Sequence, residues 1–85
     1  MELKIIGIEY GEFEGRNWAR CHILQRIRRD RGDGWKPVLD KDKKPLKMDY
    51  SLAMNLLGDW ELYENQKVSI GCDPYARVIT CELAG

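Results

Sequence analysis

Residues 16–29, RNWARCHILQRIRR, contain neither proline nor glycine and alternate in polarity, which leaves a chain of this size few ways to fold. Odd positions from 19 to 27 hold Ala19, Cys21, Ile23 and Ile27, with Gln25 the exception. Even positions hold Arg16, Trp18, Arg20, His22, Leu24, Arg26 and Arg28. A period of two suits a strand buried on one face, whereas a helix would scatter Arg16, Arg20 and His22 around its circumference. The spacing predicts a long strand from Arg16 to about Arg29, apolar inward and basic outward.

The flanking segments read as further strands. LKIIGIEY is rich in isoleucine and bounded by the turn cluster GEFEG, with Gly7 placed for a bulge. Asp33-Gly34 is a two-residue turn signal, after which a third strand is expected from Trp35. Pro37 and the hydrophilic DKDKKP interrupt that strand, and it resumes at Leu46–Met48. Asp49 can cap a short helix, YSLAMNLL, closed by Gly58, with Leu52, Ala53, Leu56 and Leu57 on one face. A last hairpin follows: Val68, Ile70 and Cys72 alternate, CDPYAR turns the chain, and Ile79, Cys81 and Leu83 alternate again. The expected fold is mainly β, a small five-stranded OB-like barrel with one short helix between the third and fourth strands. An SH3-like small barrel, which usually lacks that helix, is the alternative.

With 85 residues, one domain covering 1–85 and a single core are expected. No apolar run approaches the ~18 residues of a membrane helix, and the N-terminal stretch lacks a signal-peptide pattern, so a cytoplasmic location is predicted. Cys21, Cys72 and Cys81 form no CxxC pair and there is one histidine, so neither metal nor small-molecule cofactor is expected, and the periodicity turns all three thiols inward. No nucleophile, base and orienting group occur in a catalytic pattern, so the chain reads as a non-enzyme. Arg31-Gly32-Asp33 reads as a turn, and DKDKK lacks the glycine and closing glutamate of a calcium loop.

The formal net charge of zero hides a segregation. Residues 1–15 carry −3, residues 16–47 carry +7 and residues 48–85 carry −4. A basic middle third is what a polyanion-binding face requires. Side chains two apart on a strand lie ~6.6 Å apart, so an unbroken row from Arg16 to Arg28 is about 40 Å long. Its guanidiniums (Arg16, Arg20, Arg26, Arg28) can pair with phosphates, while Trp18 and His22 offer planes for stacked bases. Trp35, after a basic turn, and Tyr75, at the tip of DPYAR, are expected to be accessible and join the set. Trp60 and Tyr63 are expected in the core. Single-stranded DNA or RNA is the expected partner; the alternative is a protein-interaction or assembly domain that docks a second copy, as a homodimer, through the same strand.

Two longer strings carry a family likeness. KIIGIEYGEFEGRNWARCHIL resembles the opening of small OB-fold proteins of phages, plasmids and conjugative elements, where a strand, a G-x-F-x-G turn and a basic second strand succeed one another. PLKMDYSLAMNLLGDWELYENQKVSIGCDPYARVITCEL is similar to their second half. The resemblance implies a five-stranded OB barrel, often dimeric, that binds single-stranded DNA with little sequence preference during replication. Asn65 and Ala76 stand where that pattern has turn glycines, and no acidic tail follows Leu83.

Overall fold

The computed structural model describes residues 2–84. Strands β1 (Leu3–Phe13) and β2 (Arg16–Arg26) form a long antiparallel hairpin, followed by β3 (Trp35–Val38) and β4 (Leu46–Met48). Helices α1 (Tyr50–Gly58) and α2 (Trp60–Tyr63) precede the closing hairpin β5 (Gln66–Cys72) and β6 (Val78–Leu83). The sheet runs β1-β5-β6-β4-β2-β3, and β1 also pairs with β2. Five strands therefore close on themselves, and β3 extends the wall as a sixth. This is the OB-like barrel expected, with α1 lying between its third and fourth barrel strands. Closure leaves few of the open edges a small sheet would expose.

Its seam is thin. The parallel contact of β4 with β6 is one residue pair, Met48 with Val78, reinforced by Asp49 N–H donating to the Val78 carbonyl at 2.9 Å. A partly open barrel of this kind leaves a concavity over the seam.

Alternation puts Ala19, Cys21 and Ile23 of β2 inside, where they join Ile5, Leu46, Met48, Ala53, Leu56, Val68, Val78 and Cys81 in one buried cluster. Asp49 caps α1 as anticipated, its Oδ2 accepting from Leu52 N–H at 3.1 Å. Trp60 and Tyr63 pack part-buried against the core. Among the described residues no helix is long and apolar enough to cross a membrane.

Several local expectations change. The first hairpin turns at Glu14-Gly15 alone, both residues at positive φ (51° and 77°), so β1 runs through most of GEFEG. That is the backbone a two-residue hairpin loop demands. The bulge near Gly7 exists, but Ile6 is the extra residue, since Ile5 pairs with Ile23 and Gly7 with His22. Asp33-Gly34 does not make a tight turn. Ile27 N–H bonds the Gly34 carbonyl at 2.9 Å, closing a longer loop in which Arg28 bonds Asp30. The second strand thus stops at Arg26, short of Arg28 and Arg29.

Irregularity in the last hairpin explains two further departures. Gly71 pairs with Thr80 but Cys72 with Val78, leaving Ile79 unmatched. Past that slip Val78 points inward in place of Ile79, which is 45% exposed, and Cys72 is exposed. Cys21 and Cys81 alone are buried, and burial pushes their thiols up to about 12 and about 11. Asn65 and Ala76 take φ of 60° and 62°, the left-handed conformation that the glycine of the family pattern would adopt.

Candidate nucleic-acid interface

The outer face of β2 is a row of side chains whose members differ in what they touch. Trp18 pairs across the ladder with Gly11. A Cβ placed on Gly11 would lie 2.9–3.0 Å from Cζ2, Cε2 and Nε1 of the indole, so the ring lies face-on over the glycine. Any side chain at position 11 would push it away. The indole remains 40% exposed, a plane fixed from behind and open in front. His22, opposite Gly7, is less closely held: a Cβ on Gly7 would lie 3.7–3.9 Å from it, an ordinary contact, and its Nε2 is 2.9 Å from Glu9 Oε1.

Arg20 is engaged within the fold. Its Nη1 donates to the Pro45 carbonyl at 2.6 Å and to Asp40 Oδ2 at 3.3 Å. Lys4 Nζ and the Arg26 guanidinium lie over the Trp35 ring, 4.6 and 5.4 Å from its centroid. Trp35 is therefore half-buried and covered by cations, contrary to the accessible platform expected. Arg28 lies beyond the end of β2, ion-paired with Asp30 at 3.2 Å, so it is not part of the row. Tyr75 is 86% exposed at the tip of the β5–β6 turn, as anticipated.

What gathers around Trp18 instead is a groove of about 570 Å3 over the β4–β6 seam, lined by Asn17, Trp18, Arg20, Lys47, Tyr50 and Arg77 among others. Lys47 is exposed on β4 directly opposite Arg20. Arg77 gives its Nε to Asp73 Oδ2 at 3.2 Å, and its terminal nitrogens have no partner among the described residues. Arg16, exposed at the start of β2, has no ion pair among them either. The groove's acids are occupied: Glu9 by His22, and Asp49 by the first turn of α1. Lys47 and Arg16, which make no ion pair among the described residues, and the terminal nitrogens of Arg77, beside an exposed, pre-set indole, are chemistry suited to phosphate and a stacked base.

Lys47, Tyr50 and Arg77 were not in the predicted set. The alternation Leu46-Lys47-Met48 does point Lys47 outward, and DPYAR places Arg77 next to Tyr75. Tyr50 had no comparable signal, because only tertiary packing lays the start of α1 beside Trp18. No group of three or more histidine, cysteine, aspartate or glutamate side chains is placed to hold a metal among the described residues. No protein-family model, curated protein or solved structure matches the chain, so the functional reading rests on the geometry of this groove.

Proposed function

We propose that the protein binds single-stranded nucleic acid, DNA in the first instance, in the groove over the β4–β6 seam. The observation that carries this is the Trp18 indole held face-on over Gly11 and half-open in a groove shared with Lys47 and Arg77, with Arg16 two positions before it on the same face of β2. Stacking needs a flat, unhydrated plane that costs no ordering on binding, and glycine beneath the ring supplies one. The cations act as phosphate contacts without reading sequence. Arg20 contributes by holding the wall of the groove.

Titration of tryptophan fluorescence with poly-dT, beside poly-U, at low and moderate salt tests this. Quenching that saturates at low salt and weakens with a slope of roughly −0.7 per phosphate neutralised is expected. Trp18→Ala is expected to weaken binding by about 1–3 kcal/mol. Gly11→Ala, which leaves every cation in place but displaces the ring, is expected to do nearly the same. Absence of quench and of any gel shift at low salt removes the proposal.

A second reading, self-association, has its own observation. Tyr10 and Phe13 are 56% and 68% exposed near the β1–β2 turn, large apolar groups that a second copy would cover. A sizing column run on wild type and Phe13→Ser decides it.

A further inference from the structure

The turns that flank the seam are copies of one another. In Asp40–Lys44, Asp40 Oδ1 accepts from the N–H of Asp42 at 2.8 Å and of Lys44 at 3.0 Å. Asp40 N–H donates to the Lys44 carbonyl at 2.8 Å, Lys43 N–H to the Asp40 carbonyl at 3.0 Å, and Lys43 takes φ 60°. In Asp73–Arg77, Asp73 Oδ1 accepts from Tyr75 and Arg77 N–H at 2.9 and 3.0 Å. Asp73 N–H donates to the Arg77 carbonyl at 2.9 Å, Ala76 N–H to the Asp73 carbonyl at 3.0 Å, and Ala76 takes φ 62°. Each aspartate's remaining oxygen is held by an arginine, Arg20 for Asp40 and Arg77 for Asp73.

These two turns face each other. Between them lies a second concavity of about 660 Å3, with Lys41 and Asp42 on one side, Tyr75 and Ala76 on the other, and Lys47 in its floor. Lys47 also lines the Trp18 groove, so the two hollows are neighbours along one path. Lys41, Lys43 and Lys44 have no ion pair among the described residues; of the two acids lining the hollow, Asp40 is paired with Arg20, and Asp42, beside Lys41 and Lys43, leaves the Lys41–Lys44 segment with a net positive charge. Tyr75 presents almost its whole ring. An exposed aromatic on a hydrogen-bonded turn, opposite Lys41 and Lys47 across this hollow, has no role in packing the barrel.

We infer that the two turns form a jaw that takes the next nucleotide of the same strand, Tyr75 stacking on its base and Lys41 with Lys47 holding its phosphates. The inference rests on the reading of the Trp18 groove and extends it by a second subsite. Arg20 is then a positioning residue. It fixes one side of the jaw from β2, while Arg77 fixes the other from within its own turn.

The test uses fluorescein-labelled oligothymidylates of increasing length with wild type, Tyr75→Ser, the double variant Tyr75→Ser, Lys41→Ala, and Tyr75→Trp. All three changes are at exposed turn tips that carry none of the turn hydrogen bonds through their side chains. Wild type is expected to gain affinity once the oligomer is long enough to reach both hollows. The double variant is expected to lose roughly 5- to 100-fold on long oligomers and almost nothing on the shortest one that binds. Its salt slope should fall by about 0.7 for the lost lysine, and Tyr75→Trp should restore length dependence with a new quench. Wild-type and double-variant curves that coincide at every length overturn the jaw and leave the Trp18 groove standing. Wild type that binds no oligomer overturns both.

Discussion

Two turns in this molecule share a backbone and a set of hydrogen bonds, yet they are sealed differently. Asp73 is closed by Arg77, four residues on in the same turn, whereas Asp40 is closed by Arg20, a neighbour only because β2 runs beside β4. The first turn is a local property of DPYAR and would form wherever that string ended a hairpin. The second depends on the barrel: Arg20 ties Asp40 and Pro45 to the wall that its own strand builds. A side chain expected to reach outward for phosphate has been recruited to hold a loop.

The largest test of that contrast is Arg20→Ala. It strips the Pro45 carbonyl of a charged donor, which costs about 1.5–3 kcal/mol, and frees the Asp40–Lys44 turn from β2. Arg77→Ala removes only an exposed contact between neighbours and should leave the urea midpoint almost unchanged. If both shift the midpoint equally, the distinction between a local and a tertiary seal fails.

Backbone strain should be equal where the turns are equal. Lys43 and Ala76 hold φ of 60° and 62°, so Lys43→Gly and Ala76→Gly should each stabilise the fold by roughly 0.5–1 kcal/mol. Unequal gains in denaturant melts would mean that the turns are not energetic copies.

Acid sharpens the comparison further. The carboxyls of Asp40 and Asp73 are both held below the ordinary aspartate range, chiefly by the backbone N–H of Lys44 and Arg77 respectively, against a smaller opposing effect of desolvation. A depressed folded-state value means that each carboxylate's stabilisation is fully present above the unfolded value of 3.8 and is lost as pH falls through the folded one. Stability measured from pH 7 downward should therefore decline below about pH 4. Asp40→Asn and Asp73→Asn should each flatten that decline.

The smallest effect is a labelling difference. Cys72, exposed just before the Asp73 turn, should react with a thiol reagent in the folded protein. Cys21, next to Arg20, and Cys81 should not, because burial keeps them protonated far above neutral pH. One fast equivalent per chain is the expected count by mass spectrometry, and three on unfolding.

Much of this was legible in the string of residues. Alternation along RNWARCHIL places Ala19, Cys21 and Ile23 inside and Trp18 outside, and Asp49 announces α1. With the turn at Glu14-Gly15, two-residue hairpin register alone sets Trp18 opposite Gly11. The slips at Ile6 and Ile79 were harder, since one extra residue reverses which positions face inward and carries little local signature. Arg20's attachment to Asp40 and Pro45 was out of reach, because it depends on contacts between residues 20 and 25 apart. The same holds for Trp35, claimed by Lys4 from a different strand.

Amide chemical-shift mapping of the full chain with a short oligothymidylate tests the central claim most directly. Shifts concentrated at Trp18, Lys47 and Arg77, extending to Tyr75 and Lys41 as the oligomer lengthens, with Leu52 and Glu61 on the helices unmoved, are what the account predicts. A spectrum unchanged at saturating oligomer, or one in which only residues remote from the β4–β6 seam move, would contradict it.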